Sequence, residues 1–339
     1  TFLALNLNFI LPLTKIVCSI IFFIGFLIVL KKKIYLNYKL IITTSLITFI
    51  LLLNSNINRP DAGLYHLPII SMINESKIII GSSNIHFRFA HGSSIQNLSA
   101  LYNVFFFNIA FITVPAASIF AFFLYFVYEK FTNFLVEKNK VFCLIYFISF
   151  IFLIYSFNRY SGYGNDAVAH IYFIYLFLIL IPITLKNLIH VDDFIKILLI
   201  SVFLIGLKLF MILAMIVPFF LFIKYRHKIK LFRNKSFYIC LTFIFSLFLK
   251  SFLVSGCALY PIKATCIESS EIFNEKQIEM ATDISEAWSK GWPDKKISIK
   301  SYREYNINFN WLETWKKNHL LYILNKIFPY IIFILFTFM

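Results

Sequence analysis

The residues best able to do chemistry sit in a few polar stretches of an otherwise apolar chain. The first reads Asn58-Arg59-Pro60-Asp61-Ala62-Gly63-Leu64-Tyr65-His66-Leu67-Pro68, and His86, Arg88 and His91 follow after an apolar stretch. One loop thus holds a carboxylate, two guanidinium groups, a phenol and three imidazoles. That set suits proton transfer and the holding of an anion. The second stretch, Asn158 to His170, carries Asp166. Lys208 stands alone in an apolar run, where a charge ordinarily lines a cavity and marks function.

Each of these residues also has an ordinary structural use. Asp61 directly precedes a helical pattern in which Ala62, His66, Ile69, Ile70 and Ile73 share one face, so it is a good N-cap type. Arg59 fits a lipid-phosphate anchor, and His66, in the middle of the apolar stripe, fits a satisfied buried histidine. Asp166 is either the cap of the span it opens or a partner facing Asp61. Lys250 is expected to snorkel outward from its helix end. If their stretch is extended, His86 and Arg88 point the same way and His91 does not. His-x-Arg-x-x-His matches no zinc spacing, so no metal ligand is assigned.

The elements that position these residues follow from composition. The 339 residues are 60% hydrophobic and 14% charged, with 43 Phe against 9 Gly. Soluble domains carry about 25% charged residues. A soluble enzyme, a disordered tail and a disulfide miniprotein are excluded. The net charge of +16 is no sign of nucleic acid, because no basic groove interleaves with stacking aromatics. The Phe, Ile, Asn and Lys excess also fits an AT-rich genome. The chain starts at Thr1 and stops at Met339 inside an apolar run, as expected of a fragment.

A membrane crossing needs about 20 apolar residues. Expected spans are 9–30, 40–53, 104–128, 141–157, 168–185, 237–254 and 320–339. Lysines and arginines gather after the first, third and fifth spans and again over 224–235, including Lys31, Lys32, Lys33, Lys130, Lys186, Lys228, Lys230 and Arg233. Basic loops stay cytoplasmic, which sends loops 54–103, 158–167 and 255–319 outward. The run 197–223 must then enter and leave on one face. At ~1.5 Å per residue it is about 40 Å long as helix, too short for two crossings. A re-entrant hairpin turning near Gly206 and Lys208 is expected, with protein surrounding the broken backbone; the alternative is one long crossing with inverted topology downstream.

The expected fold is all-α: a polytopic transmembrane helical bundle with a re-entrant hairpin and amphipathic surface helices in its outward loops. A helical core over 1–254 leads to an extracytoplasmic loop over 255–319 and a last span from 320. Cys18, Cys143 and Cys240 fall in spans as small buried hydrophobes. Cys257 and Cys266 close a short outward turn and are expected to pair in an oxidising compartment. Glu271 to Lys290 reads as a surface helix ended by Gly291-Trp292-Pro293. Trp288/Trp292 and Trp311/Trp315, each spaced i, i+4, are expected to share a helix face, as an interfacial belt or as a platform for a sugar or lipid.

Asp61-Ala-Gly-Leu-Tyr-His-Leu-Pro68, opening an outward amphipathic helix in a multispanning chain, resembles the GT-C membrane glycosyltransferases, closest to their family-39-like bacterial branch. Asn165-Asp166-Ala-Val-Ala-His170 is similar to the acidic start of a later span in that group, and Gly206-Leu-Lys208 to its buried Thr-Lys element, with Leu207 where Thr is usual. Ser255 to Pro261 resembles a stretch of bacterial membrane proteins related to it. The likeness covers roughly residues 40–225.

The resemblance implies a bacterial inner-membrane enzyme with its active face outward, moving sugar from a polyprenyl-phosphate donor to a glycan or lipid acceptor. Asp61 would be the general base, with Asp166 and His66 orienting it or the acceptor. Arg88 or Lys208 would meet the phosphate, and Arg59, Tyr65, His86 and His91 the remaining substrate. The group usually places its acid after the first span, whereas two apolar segments precede Asp61. No second acid adjoins it, which leaves a divalent metal unassigned. The alternatives are a lipid-linked sugar transporter or flippase, which needs a polar path through the spans; a polysaccharide polymerase or ligase, which leans on outward Arg and His; and a scaffold without chemistry.

Overall fold

The computed structural model describes residues 1–31, 37–54, 61–105, 109–186, 189–227, 234–292 and 301–338. Arg59, Lys32, Lys33, Lys228, Lys230, Arg233 and Pro293 lie outside them. Among the described residues the secondary structure is helical, with one isolated antiparallel bridge between Cys257 and Cys266. Among those residues, three helical stretches are long and apolar enough to cross a membrane: Phe111–Val136, Asp166–Leu185 and Lys235–Ser255. The chain divides into two compact units, Thr1–Ile80 with His91–Leu253, and Gly81–Ala90 with Val254–Met339.

The first unit opens with α1 (Phe2–Ile10) and α2 (Lys15–Lys31). The expected span 9–30 is therefore two helices. Pro12 disfavours helical geometry at the residue before it, and Leu11 is extended at φ −148°, ψ 154°. The freed α1 returns along the chain, where Asn8 Nδ2 donates to the Ser76 carbonyl at 3.0 Å.

Next come α3 (Tyr38–Leu53), a π-helical turn over Ala62–His66, and α4 (Leu67–Glu75). Ala62, His66, Ile69, Ile70 and Ile73 are all buried, while Asp61, Gly63 and Leu64 are exposed. The short α5 (Ser94–Ala100) is followed by α6 (Val114–Val136), α7 (Lys140–Tyr155) and α8 (Asn165–Lys186).

Then α9 (Val191–Leu207) ends at Lys208, whose backbone is extended at φ −150°, ψ 130°. A 3-10 stretch over Leu209–Met215 and α10 (Ile216–Tyr225) fold back along α9. Ser201 Oγ donates to the Ala214 carbonyl at 3.3 Å, and the Phe194 and Phe222 rings lie 6.4 Å apart. α11 (Lys235–Ser255) closes this unit and leads into the second.

Two apolar cores hold the first unit. One gathers Leu5, Ile95, Val168 and Phe243 around α9, with Phe194, Ile197 and Leu204 at its centre. The other surrounds α6, where Phe120 stacks on Tyr160 at 4.2 Å and Val127 packs with Leu51, Tyr146 and Leu153. α8 supplies side chains to both, Leu176 to the first and Ile171 to the second.

In the second unit α12 (Glu275–Ser289) begins at Asn274, whose side chain accepts from the Gln277 N–H at 3.2 Å. Ile278 and Ala281 pack on Phe87, Cys257 and Tyr260. The helix stops at Gly291, whose φ of +82° suits a residue without Cβ. The Trp292 N–H then returns to the Ala287 carbonyl at 3.0 Å. Trp292 consequently shares no helix face with Trp288; its ring lies 4.5 Å from Tyr302 and 4.9 Å from Tyr305. Both tyrosines belong to α13 (Tyr302–Asn306), after which come α14 (Leu312–Trp315) and α15 (Leu321–Phe338). Trp311 and Trp315 do meet, edge to face at 6.4 Å.

At Gly206 two helices come close together. A Cβ there would collide with Ser94 Oγ and press on Leu247. Ser94 Oγ is buried and lacks a hydrogen-bond partner among the described residues. Gly206→Ala is therefore expected to destabilise the detergent-solubilised protein by about 1–3 kcal/mol, the usual cost of overpacking. Ser94→Ala should recover part of that loss in the double variant, and thermal unfolding of the four proteins reads both effects. Additive losses would show that the two residues do not collide.

Candidate functional site

The candidate site is built around α5, whose sequence Ser-Ile-Gln-Asn-Leu-Ser-Ala is polar at most turns and nonetheless buried. Ser93, Ser94, Gln96, Asn97 and Ser99 are each 1% exposed or less. Burial of a polar group is tolerated when it is hydrogen-bonded, and most of these side chains reach a different element. The helix starts with a capping box, in which the Gln96 side chain returns to the Ser93 backbone.

Gln96 serves two elements at once. Its Oε1 accepts from the Ser93 N–H at 2.7 Å, and its Nε2 lies 3.0 Å from His66 Nδ1. A backbone N–H can only donate, so the amide orientation is fixed and the Nε2 group must donate to Nδ1. His66 is thereby held with Nδ1 as acceptor, and in the neutral ring the proton sits on Nε2. The imidazole lies against Tyr65 at 4.1 Å and meets Tyr163 edge to face at 5.2 Å.

Tyr163 is also anchored on α5. Burial pushes its phenol well above the usual tyrosine range, against the opposing effect of its hydrogen bond to Ser99; nearby Tyr65 adds to the rise. It stays protonated and donates to Ser99 Oγ at 3.2 Å, and Ser99 donates on to the Ile112 carbonyl at 2.9 Å. Three residues after Tyr163, Asp166 stands in the first turn of α8 and forms an ion pair with Lys208. The Lys208 end of α9 is tied to α5 in turn, because Ser93 Oγ donates to the Leu207 carbonyl at 2.9 Å. The pair is about half exposed, so its own contribution to stability is small.

The expected site residues therefore separate. Asp61, Tyr65, His66, His91, Asp166 and Lys208 belong to the first unit, and all but His91 join the chain of contacts just described or begin its π turn. The Asp61 side chain makes no cap hydrogen bond. Where a cap of its span or a partner for Asp61 is expected of Asp166, the structure gives it Lys208 as ion-pair partner instead. Arg59 is outside the described residues.

His86 and Arg88 belong to the second unit. Their stretch forms 3-10 turns rather than an extended strand, closed by backbone bonds such as that from the Phe89 N–H to the His86 carbonyl at 2.9 Å; the Arg88 N–H donates to His86 Nδ1 at 3.2 Å. The two-residue alternation assumed for an extended chain does not apply there. Arg88 lies over the Phe87 ring at 5.6 Å, and His86 stacks on the same ring at 4.9 Å. Cys257 and Cys266 are disulfide-bonded. No cluster of metal-ligand type occurs among the described residues.

Ser93, Gln96, Asn97, Ser99 and Tyr163 were absent from the sequence-based set. The available signal was Ser93-Ser-Ile-Gln96, a capping-box pattern, inside a polar run of an apolar chain. Lys250 also differs from expectation. Its ammonium does not reach outward but turns to Asn97 Oδ1 at 3.4 Å.

Among the described residues, these elements define an all-helical protein with three helices fit to cross a membrane and a buried polar helix beside its candidate site. Residues 1–339 match the family model described as a domain of unknown function, DUF8201, and the chain belongs to that family. No curated protein and no solved structure matches it.

The tautomer is open to test by nitrogen NMR on histidine-labelled protein. Wild type should show His66 Nδ1 unprotonated and Nε2 protonated. Gln96→Glu replaces the donor with an acceptor and should draw a proton onto Nδ1; an unchanged spectrum would refute the assignment.

His86 gives a pH prediction. Burial, and next the Arg88 guanidinium, hold its imidazole below the ordinary histidine range. The unfolded chain then takes up the proton first as pH falls. The contribution of His86 to stability is fully present above about pH 6.5 and is lost as pH drops through the lower folded value. Denaturation at pH 7 and pH 5 should show a smaller difference for His86→Gln than for wild type.

Proposed function

We propose that the chain is a multi-pass membrane glycosyltransferase of the bacterial cytoplasmic membrane. It would take a sugar from a polyprenyl-phosphate donor and pass it to a glycan or lipid acceptor on the outward face. In this reading the turn at Lys208 is the apex of a re-entrant hairpin that opens on the same side as the Asp61 loop. The observation that carries it is the convergence on α5 of the Asp61–His66 turn and the Asp166–Lys208 pair, which brings a carboxylate, a positioned imidazole and a cation into one unit.

The chemistry assigns each group one task. The Asp61 carboxylate removes the proton of the acceptor hydroxyl as its oxygen attacks the anomeric carbon. The bond from that carbon to the donor phosphate oxygen breaks, and the phosphate leaves with the electron pair. His66, a donor through Nε2, orients Asp61 or the acceptor. Asp166 holds Lys208 at the mouth of the hairpin, and Tyr65 and His91 contact the sugar.

The test is sugar transfer from a panel of polyprenyl-phosphate sugars by the full-length protein in lipid. Asp61→Asn is expected to reduce transfer by about a hundredfold or more with expression and thermal stability kept. Retention of most of the activity would remove Asp61 as the base. Movement of the lipid-linked sugar across vesicles without a new covalent product would replace the enzyme by a transporter.

A further inference from the structure

We propose that Lys250, with Asn97 beside it, forms a binding site for a phosphate group. Lys250 lies on α11, whose described cations are otherwise confined to its first residue, Lys235. Its ammonium is turned into the first unit, where Asn97 Oδ1 lies at 3.4 Å. No carboxylate stands within ion-pair distance of it among the described residues. Lys250 is half-buried; a cation partly removed from water without a counter-charge is costly to keep, and an amide oxygen supplies only a partial charge.

Asn97 and Gly92 stand beside the ammonium. Asn97 is buried at 1% exposure, and its Nδ2 points to the Ser93 carbonyl at 3.5 Å, so its oxygen is the atom left facing Lys250. On another side stands Gly92. A Cβ there would lie 3.6 Å from the ammonium, so any longer side chain would cover it. An ammonium has three donors; Asn97 takes one, and the several oxygens of a phosphate can accept the others. Lys250 stands five residues before the end of α11, or about 7 Å along the helix. In a membrane of ~30 Å hydrocarbon thickness this is near the level of lipid headgroups, where phosphate is the abundant anion.

Lys208 already has Asp166 as counter-charge, so Lys250 is the better placed cation for a phosphate. The donor lipid's phosphate is its natural occupant; that identity rests on the transfer reading, whereas the site itself does not.

The experiment uses the full chain in a maltoside detergent free of phospholipid, with calorimetric titration of decyl phosphate and of inorganic phosphate. Wild type is expected to bind decyl phosphate saturably. Lys250→Met should weaken binding about tenfold or more, the value of a lost charge-assisted hydrogen bond. Lys250→Arg should retain it, and Lys276→Met, on the exposed face of α12, should not change it. Asn97→Asp supplies an internal carboxylate, and should both abolish binding and raise the melting temperature; it decides the matter if Lys250→Met does not fold.

Inorganic phosphate binding with the same dependence would identify the phosphate itself as sufficient, and binding of decyl phosphate alone would identify a lipid ligand. The proposal falls if wild type binds neither probe, or if binding survives in both Lys250→Met and Asn97→Asp. Lys250-dependent binding without any sugar transfer would leave this site standing and remove the transfer reading alone.

Discussion

Burial of a polar helix constrains the first unit more than any apolar contact does. Ser93, Gln96, Asn97 and Ser99 have given up water, and a buried polar group left without a partner costs about 1–3 kcal/mol. Their partners come from the π turn, the Tyr163 loop, the end of α9 and the body of α11. Those segments can therefore be satisfied only together. Apolar side chains in a membrane offer no comparable demand, since lipid tails are as apolar as leucine. The candidate site and the scaffold that orders it are thus the same set of hydrogen bonds.

What was legible in the sequence was local. Helical character followed from apolar runs, and the buried face through Ala62, His66 and Ile69 followed from spacing alone. The end of α12 could be placed because glycine is the residue that adopts positive φ without strain. The same glycine spoils the Trp288/Trp292 pairing, a conflict between two local rules that spacing alone does not resolve. Likewise Pro12 divides what hydropathy joins into one span.

The α5 network was illegible for a different reason. Gln96 and His66 are 30 residues apart, Ser93 and Leu207 are 114 apart, and Lys250 and Asn97 are 153 apart. A serine or asparagine in isolation has no preferred partner at such range. The charges obeyed the same logic. Asp166 reads as a cap or as a partner of Asp61, and only the packing of α9 back along α8 brings Lys208 to it. Lys250 has every local reason to reach for water, and Asn97 on α5 holds it inward.

The π turn over Ala62–His66 has a consequence for how this segment can vary. A π turn behaves as one extra residue accommodated within a helix. Removing one residue between Asp61 and His66 would restore ordinary winding, with Asp61 and the buried Ile69, Ile70 and Ile73 keeping their relative bearing. The turn therefore separates the bearing of Asp61 from the exact length of the chain that follows it. Exposed Gly63 and Leu64 are free to change identity, and this is the place where the segment can lose one residue without turning Asp61 away.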